Sequence, residues 1–507
     1  MSIRRAFVGF FLGTFAAHGA HAVMLNAHGQ GQVLIWPYYT TAAGNASLIT
    51  LTNHLDRAKI VQLRVAEGEN GRSVAALNVY LAPHDSWTAA LFDRGENESP
   101  GLLTDDPSCT YPQLSRSNDL PQLPDGRRYL PLSVPIDAGS SEPRRVREGY
   151  VEAVELAAIV ADSATASAIT PAAGGARDCL LIEQAWTAPA GYWTRNPLRD
   201  LTNPGGGLSG SIAIVNVAAG TLYGAQATAL DEFRVDPEDR PRGTRASVAQ
   251  HFAPPPGVLS LLGSALSDPA TGQATALLID GGRVIQAHYP SDRALDAVSA
   301  VLMAARLSAP SDTTARLGAT TSFALTYPTR AHYTDPQLGA TAPRPPFQTT
   351  FRGVVPLAQS PGHAFRLLDR EGAELFRGPL GQGALALRTT GTAVELVSLA
   401  GVRDSAFDSR LHGHMGTAGQ NGRPVPYFGD GQLIVEFDQA RDTSPVLPAS
   451  LEGYRLAGLP VIGTRFTHYT NQNAAPGVLA TYAEAAPMQA QMRCSSPGGG
   501  RCADVSP

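Results

Sequence analysis

Residues 31–40 read GQVLIWPYYT, and their composition constrains the whole fold. Nearly every residue from Val33 to Tyr39 is apolar or aromatic, which predicts a β-strand without a polar face. A strand of this kind needs cover on both of its faces. Pro37 has no N–H to donate to a neighbouring strand, so the pattern predicts either a sheet edge or a bulge at that position.

The aromatic residues of this strand are candidate ligand contacts. Simple alternation places Leu34, Trp36 and Tyr38 on one face of the strand. We expect one face to join the core of a β-sandwich and the other to be covered by the insertion at 95–147 or by a neighbouring domain. The alternative is that Trp36 and Tyr38 remain partly open and bind a partner protein or a glycan.

Short alternating segments follow this strand at regular intervals. In one of them Val61, Leu63 and Val65 face the same way, as expected of a half-buried strand. The predicted strands of this region are residues 46–54, 59–67, 73–81 and 86–92. Short strands with turns about every 8–12 residues are typical of an immunoglobulin-like sandwich.

The predicted fold class is mainly β, a multi-domain β-sandwich with an immunoglobulin-like N-terminal part, one short amphipathic helix and long loops rich in proline and glycine. The 51 glycines and 39 prolines of the chain suit many turns between short strands. The predicted division is a signal peptide at 1–22, an N-terminal β-sandwich at 23–240 with a loop insertion at 95–147, a linker and middle region at 241–345, and a C-terminal β domain at 346–507 with a disulfide-closed tail.

One helix is predicted at residues 291–305. Leu295, Val298 and Leu302 recur with helical spacing and form a narrow apolar stripe, which we expect to dock on a sheet. The remaining predicted strands are residues 149–159, 179–185, 211–217, 221–227, 322–327, 349–357, 363–368, 392–399, 431–438 and 454–470.

The first 22 residues have the parts of a secretory signal peptide. Arg4 and Arg5 form a short basic region, residues 6–17 are mostly apolar, and Ala20 and Ala22 form a small-residue cleavage signal. Cleavage is expected after Ala22. Because no later segment has the uninterrupted apolar length of a spanning helix, the sequence predicts no transmembrane segment.

The export route has two interpretations. The Arg4-Arg5 pair resembles a twin-arginine signal, but Ile3 replaces the usual polar residue before it. Export of the unfolded chain is therefore the default expectation. Either route leads to the periplasm, the cell surface or the medium.

Composition and charge exclude one class of partner. Charged residues make up 16% of the chain against roughly 25% in ordinary globular proteins, and the formal net charge is −5, or −7 without the two signal arginines. Nothing in the sequence supplies a basic stripe, so nucleic acid is not an expected ligand.

The four cysteines suit an oxidising compartment. Cys109, Cys179, Cys494 and Cys502 allow three pairings. Loop closure favours near neighbours, so we expect Cys109 to bond Cys179 and Cys494 to bond Cys502.

Several blocks of the chain resemble an uncharacterised group of secreted proteins from Gram-negative bacteria. The blocks are, in order, GQVLIWPYYT, LNVYLAPHDSWTAALF, EGYVEAVEL, SIAIVNVAAGTLYGAQATALDEF, DAVSAVLM, LTYPTR and LAGLPVIG. They span most of the mature chain and consist of strand and turn motifs. The resemblance implies a secreted, all-β protein and supplies no catalytic residue.

Glu152 and Glu155 are the carboxylate pair that would suggest glycoside hydrolysis. Residues three apart on a strand point to opposite faces, so these two cannot flank one bond. We interpret one of them as a solvent-facing or salt-bridged strand residue, and we assign no catalytic residue.

His412 and His414 are the candidate metal ligands. Two histidines at i and i+2 project from the same side of an extended segment, and Asp404 and Asp408 lie close in the sequence. The surroundings are rich in glycine, and a plain polar loop is the alternative. No cofactor is expected.

Two classes of function fit these observations. The first is a non-enzymatic secreted or cell-envelope protein, a scaffold or an adhesion or binding module, whose partner is another envelope protein or a glycan. The alternative is a secreted hydrolase that acts on polysaccharide or another extracellular polymer. Convergent carboxylates beside an aromatic platform in a cleft would favour the hydrolase.

Overall fold

Antiparallel β-strands make up most of the protein, which confirms the predicted mainly β fold class. The computed structural model describes residues 22–114, 117–171, 177–189, 191–233, 260–265, 271–338, 340, 342–347, 349–351, 353, 364–378, 387–388, 391–399, 407–415, 430–438, 445–475 and 478–503. The predicted strand at 349–357 lies mostly outside these residues.

The strands are numbered in chain order. The first group is β1 Met24–Leu25, β2 Val33–Thr40, β3 Ala46–Asn53, β4 Lys59–Glu67, β5 Ser73–Leu81, β6 Ser86–Phe92, β7 Gly101–Leu103, β8 Cys109–Tyr111, β9 Leu130–Pro131, β10 Glu148–Ile159, β11 Leu201–Thr202, β12 Leu208–Asn216, β13 Thr221–Gln226 and β14 Thr228–Asp231. The second group is β15 Gln273–Asp280, β16 Arg283–Pro290, β17 Met303–Ala304, β18 Arg306–Asp312, β19 Ala319–Thr326, β20 Ala364–Asp369, β21 Glu374–Gly378, β22 Leu387–Arg388, β23 Val394–Ser398, β24 His412–Met415, β25 Asp430–Glu436, β26 Arg455–Ala457, β27 Leu459–Pro460, β28 Ile462–Ala475, β29 Val478–Pro487, β30 Gln489–Gln491 and β31 Arg493–Ser495.

The helices are short. The α-helices are α1 Ala164–Ile169, α2 Cys179–Thr187, α3 Tyr192–Arg195, α4 Ala294–Leu302 and α5 Arg330–Thr334. The 3-10 helices are Ala42–Gly44, Pro143–Arg147, Leu261–Ser264, Ser291–Arg293, Ala315–Leu317 and Pro336–Leu338. None of the helices in the described part of the chain is long and apolar enough to cross a membrane.

Two sheets form a sandwich in the N-terminal part of the chain. The first, here called the central sheet, has the order β1-β14-β2-β10-β4-β5-β8, with β11 beside β10. The second, here called the outer sheet, has the order β13-β12-β3-β6-β7-β9. Alternate residues of both sheets, such as Val61, Leu63, Ile49 and Leu51, share one buried cluster. The predicted β-sandwich is therefore confirmed.

The opening strand β2 lies inside the central sheet, between β14 and β10. Val151 of β10 pairs with Trp36, and Gly149 pairs with Tyr39, so β2 has one residue more than β10 between these two pairs. The extra residue makes a bulge at Pro37 and Tyr38. The bulge expected at Pro37 is confirmed. On the other side of β2, β14 pairs with Val33, Leu34 and Ile35 and stops short of Pro37.

The bulge reverses the alternation of β2. Leu34, Trp36 and Tyr39 belong to the core between the two sheets, whereas Ile35 and Tyr38 belong to a second buried cluster on the opposite face. The expectation that Trp36 and Tyr38 share a face is therefore wrong. An extra residue in a strand shifts every later side chain to the other face.

The central sheet is buried on both faces, since every residue of β2, β4 and β10 is buried. C-terminal residues cover the second face near β2, where the Tyr38 ring lies 5.3 Å from that of Phe407 and 5.8 Å from that of Phe466. The strand without a polar face is thus the middle layer of a three-layer arrangement.

Two further sheets belong to the C-terminal part. A six-stranded sheet has the order β22-β24-β23-β19-β28-β29, and a five-stranded sheet has the order β21-β20-β25-β18-β30. Side chains of both sheets, including Phe323, Phe466, Leu367 and Val435, join the second buried cluster. This cluster draws on residues of all three predicted segments, from Val23 to Cys502. The predicted domain boundaries stay a prediction.

The predicted helix is present but shorter than 291–305. A 3-10 turn at Ser291–Arg293 precedes α4, and the chain turns into β17 at Met303. The helix packs against the hairpin of β15 and β16, so the expected docking on a sheet is confirmed. All nine residues of α4 are buried, so the contact extends well beyond a narrow stripe.

The predicted strand at 179–185 is wrong, because these residues form the helix α2. The Asp178 side chain accepts a hydrogen bond from the Leu181 N–H and caps the helix. Ile182 and Ala185 then face the core, and the disulfide holds Cys179 at the first turn. A short apolar run fits a buried helix as well as a strand.

The insertion at 95–147 is more than a surface loop. It adds β7 and β9 to the outer sheet and β8 to the central sheet. Both predicted disulfides are present, Cys109 with Cys179 and Cys494 with Cys502. The first joins the inserted strand β8 to α2, and the second closes the tail.

Candidate functional site

Glu152 and Glu155 are buried and bound to different cations. Glu152 Oε1 lies 2.5 Å from Nε of Arg64, and Glu155 Oε1 lies 2.6 Å from Nζ of Lys59. The four side chains are at most 4% exposed. Neither carboxylate is in position to act on a polymer, and the salt-bridged interpretation of these strand residues is confirmed.

Lys59 is the only lysine of the chain, and its side chain is buried in the ion pair with Glu155. The carboxylate of Glu155 also accepts hydrogen bonds from the N–H groups of Gly205 and Gly206, at 3.0 and 2.8 Å. Burial raises the pKa of Glu155, while Lys59 and these backbone donors lower it. A fully buried pair with satisfied donors fixes strand positions and offers no open site.

A larger group of charges joins the N-terminal sandwich to the C-terminal part. We call it the junction cluster, and its members are Glu67, Asn70, Arg72, Asp137, Arg145 and Asp335. Arg145 binds Asp137 through Nη1 and Nη2 at 2.6 and 2.9 Å, and binds Glu67 through Nε and Nη2 at 3.2 and 3.1 Å. Its side chain is 0% exposed.

The second arginine of the junction cluster reaches the C-terminal part of the chain. Arg72 binds Asp335 through Nε and Nη2 at 2.7 and 2.9 Å. Asn70 donates to both Asp137 and Asp335 at 3.0 Å. The turn between β4 and β5 therefore ties together residues that are far apart in the sequence.

The short helix α5 carries the buried Arg330 and the half-buried His332 beside this cluster. Burial lowers the pKa of Arg330 to about 10, and its Nη1 has no hydrogen-bond partner among the described residues. Burial of the His332 ring lowers its pKa to about 4; the charge of Glu152 opposes this shift, and the charges of Arg64 and Arg344 add to it. The Nε2 atom of His332 is buried, and no described residue accepts or donates a hydrogen bond there.

The depressed pKa of His332 predicts a loss of stability in acid. Between pH 6.5 and pH 4 the unfolded chain binds a proton on this histidine and the folded protein does not, so stability falls as the pH falls. In urea unfolding, the parent should lose on the order of 1–2 kcal/mol more between pH 7 and pH 5 than His332→Gln.

The exposed His28 gives the control for this measurement. His28→Gln should follow the parent at both pH values. A His332→Gln variant with the same loss as the parent would show that this histidine does not contribute to the acid sensitivity.

An open cleft lies at one end of the five-stranded sheet, opposite β28. Its volume is about 420 Å³. Asp312 ends β18, Asp369 ends β20 and Asp430 begins β25, so three neighbouring strands bring carboxylates to the same place. The lining residues are Pro310, Ser311, Asp312, Leu368, Asp369, Arg370, Gly372, Asp430, Gly431, Gln432, Arg465, Thr467 and Tyr469.

Local contacts hold the carboxylates of the cleft in place. Asp312 accepts a hydrogen bond from the Thr314 N–H at 2.8 Å, and Asp369 accepts one from the Ala373 N–H at 2.7 Å. Asp430 lies 3.7 Å from a guanidinium nitrogen of Arg370. The wall of the cleft therefore carries fixed acceptors beside the exposed cation of Arg370.

The opposite wall comes from β28. Arg465 binds Glu484 through Nη2 at 2.7 Å, and its buried Nε has no hydrogen-bond partner in the described part of the chain. Tyr469 is half-buried, and burial together with the charge of Asp312 raises its pKa. An aromatic ring, two guanidinium groups and three carboxylates thus face one open volume.

Comparison with known proteins gives no identification. No known family, curated protein or solved structure matches this chain. The cleft at Asp312 and Tyr469 is therefore interpreted from its own residues.

The structure places the residues predicted from the sequence away from this cleft. Trp36 and Tyr38 are 0 and 1% exposed, so neither offers a surface to a partner in the folded protein. His412 and His414 belong to β24, but their side chains lie outside the described part of the structure, and the metal hypothesis stays a prediction. Among the described residues, no three His, Cys, Asp or Glu side chains come together as a metal site.

Sequence reasoning missed the cleft residues. The local signal is an aspartate beside two predicted strands, Asp369 after residues 363–368 and Asp430 before residues 431–438, whereas β18, which Asp312 ends, was not predicted. Aspartate is common at strand ends and turns, so the signal is weak until the strands are known to be neighbours.

Proposed function

We propose that this protein is an exported, non-enzymatic binding module of the cell envelope that holds its ligand in the cleft between β28 and the five-stranded sheet. The observation that carries the proposal is the cleft itself, an open volume of about 420 Å³ with fixed donors and acceptors. Ligand sites generally have volumes of about 300–1,000 Å³ and a few well-placed polar groups.

The buried charges support a binding role over a catalytic one. Glu152 and Glu155 are neutralised by Arg64 and Lys59, away from any open surface. In the cleft, Asp312 and Asp369 are bound to backbone N–H groups. These hydrogen bonds hold the carboxylate oxygens in fixed positions, as the polar groups of a binding site require.

The proposal includes export of the protein and removal of residues 1–22 as a signal peptide. It also includes an immunoglobulin-like fold for the N-terminal sandwich. Two disulfides suit an oxidising compartment. Val23 is 3% exposed, its N–H donates to the Thr275 carbonyl and its carbonyl accepts from the Leu277 N–H. The bond after Ala22 is thus inaccessible once this segment has docked, so we propose that cleavage precedes folding and that the chain is exported unfolded.

The test combines localisation with an assay for product. Expressed in a Gram-negative host, the protein should leave the cytoplasm, and its intact mass should show loss of residues 1–22 and two disulfides. Incubated with isolated cell-wall polysaccharide, it should sediment with the polymer and release no reducing ends.

Two outcomes would overturn the proposal. Recovery from the cytoplasm with residues 1–22 retained would contradict export. Steady release of reducing ends that disappears in Asp369→Asn would establish the hydrolase alternative.

A further inference from the structure

We infer that the cleft between β28 and the five-stranded sheet binds a short, uncharged oligosaccharide, with Tyr469 as the stacking surface and Asp312, Asp369 and Arg465 as hydrogen-bonding groups. This inference rests on the proposed binding function and names its ligand class. Each part of it follows from a different feature of the cleft.

The backbone around the cleft is already paired, which disfavours a peptide ligand. β25 is bonded along its length to β18 on one side and β20 on the other, and β20 is also bonded to β21. At the end of β18, the N–H and carbonyl of Asp312 both bond the Thr321 hydroxyl, at 3.0 and 2.8 Å. An extended peptide that adds to a sheet needs a free strand edge. Recognition in this cleft therefore depends on side chains.

The side chains offer both acceptors and donors. Asp312, Asp369 and Asp430 accept hydrogen bonds, whereas Arg370 and Arg465 donate them. A sugar hydroxyl does both, so a ring with several hydroxyls can satisfy both kinds of group at once. A purely anionic or cationic ligand would meet like charges on the same walls.

Arg465 supplies a donor on the opposite wall of the cleft. Its side chain is 14% exposed, and its Nη2 binds Glu484 at 2.7 Å, which holds the guanidinium group in place on β28. A guanidinium group donates hydrogen bonds and accepts none, so Arg465 complements the carboxylates of the facing wall.

Tyr469 supplies the apolar surface that sugar binding needs. The residue is half-buried on β28 and lines the cleft. A tyrosine ring presents an apolar face for the C–H groups of a sugar and a polar hydroxyl at its end. The volume of about 420 Å³ limits the ligand to a short oligosaccharide or to the end of a longer chain.

The experiment measures binding of cellobiose, maltose and diacetylchitobiose by calorimetry and ligand-observed NMR. We expect at least one of these to bind. Tyr469→Ala should weaken its binding about fivefold, since aromatic contacts of this kind contribute modestly. Asp312→Asn should weaken it about tenfold, because a charge-assisted hydrogen bond is lost.

Matched controls lie outside the cleft. Tyr111→Ala removes a half-buried tyrosine on β8 of the central sheet, and Asp292→Asn removes the charge of an exposed aspartate; neither residue lines the cleft. Both should bind as the parent does. If Tyr469→Ala fails to fold, Tyr469→Phe keeps the ring and should retain binding, while Asp312→Asn still reports on the cleft.

The outcomes separate this inference from the proposed function. If none of the three sugars binds, or if binding is the same in the parent and in both cleft variants, the inference is wrong. Binding of a control tetrapeptide without sugar binding would also overturn it. Sedimentation with the envelope that persists despite these results but is lost in Asp312→Asn would keep the proposed function and change only the class of ligand.

Discussion

Arg145→Met should lower the free energy of unfolding by about 3–5 kcal/mol, because it leaves buried carboxylates without their cation. The Arg145 guanidinium is 0% exposed and binds both Asp137 and Glu67 with two hydrogen bonds each. Burying a charged group without a partner costs far more free energy than burying an apolar group. Thermal unfolding followed by circular dichroism would show the effect as a large drop in melting temperature.

The neighbouring residue provides the control. Arg144 is half exposed and pairs only with the equally exposed Glu142. Arg144→Met should melt with the parent, since exposed ion pairs contribute little. The melting temperature of Arg145→Lys should lie between those of Arg144→Met and Arg145→Met, because an ammonium group keeps the charge but loses the paired hydrogen bonds. Equal melting of Arg144→Met and Arg145→Met would show that the junction cluster does not stabilise the fold.

Trp36→Ala should also cost about 3–5 kcal/mol, the usual range for removal of a large buried aromatic side chain. Trp36 is 0% exposed in the core between the central and outer sheets. Its ring lies so close to β12 that a Cβ atom at Gly210 would be 2.3 Å from it. The glycine therefore leaves the space that the indole fills, and truncation to alanine opens a cavity.

An apolar residue of the outer sheet gives the comparison. Leu48 is 45% exposed, and Leu48→Ala should melt close to the parent. A Trp36→Ala variant that melted within about a degree of the parent would contradict the buried position of the indole. It would also restore Trp36 as a candidate contact for a partner.

Local pattern predicted much of the strand content. The strands β3, β4, β5 and β6 match the alternating segments within about a residue, because side-chain alternation is a property of the strand itself. The disulfides also followed from sequence, since loop closure favours cysteines that are near in the chain. Composition alone, by contrast, did not separate a strand from the helix α2.

Sequence by itself thus predicted many of the strands, both disulfides and the need for cover on both faces of β2. Only the tertiary structure decided what provides that cover, which charges are buried and where the cleft lies. Arg144 and Arg145 are adjacent residues of the same type, yet Arg144 faces solvent and Arg145 binds Glu67 and Asp137. Asn70 meets Asp335 across 265 residues. Burial and pairing depend on which distant segments become neighbours, and this information is absent from any local stretch of the chain.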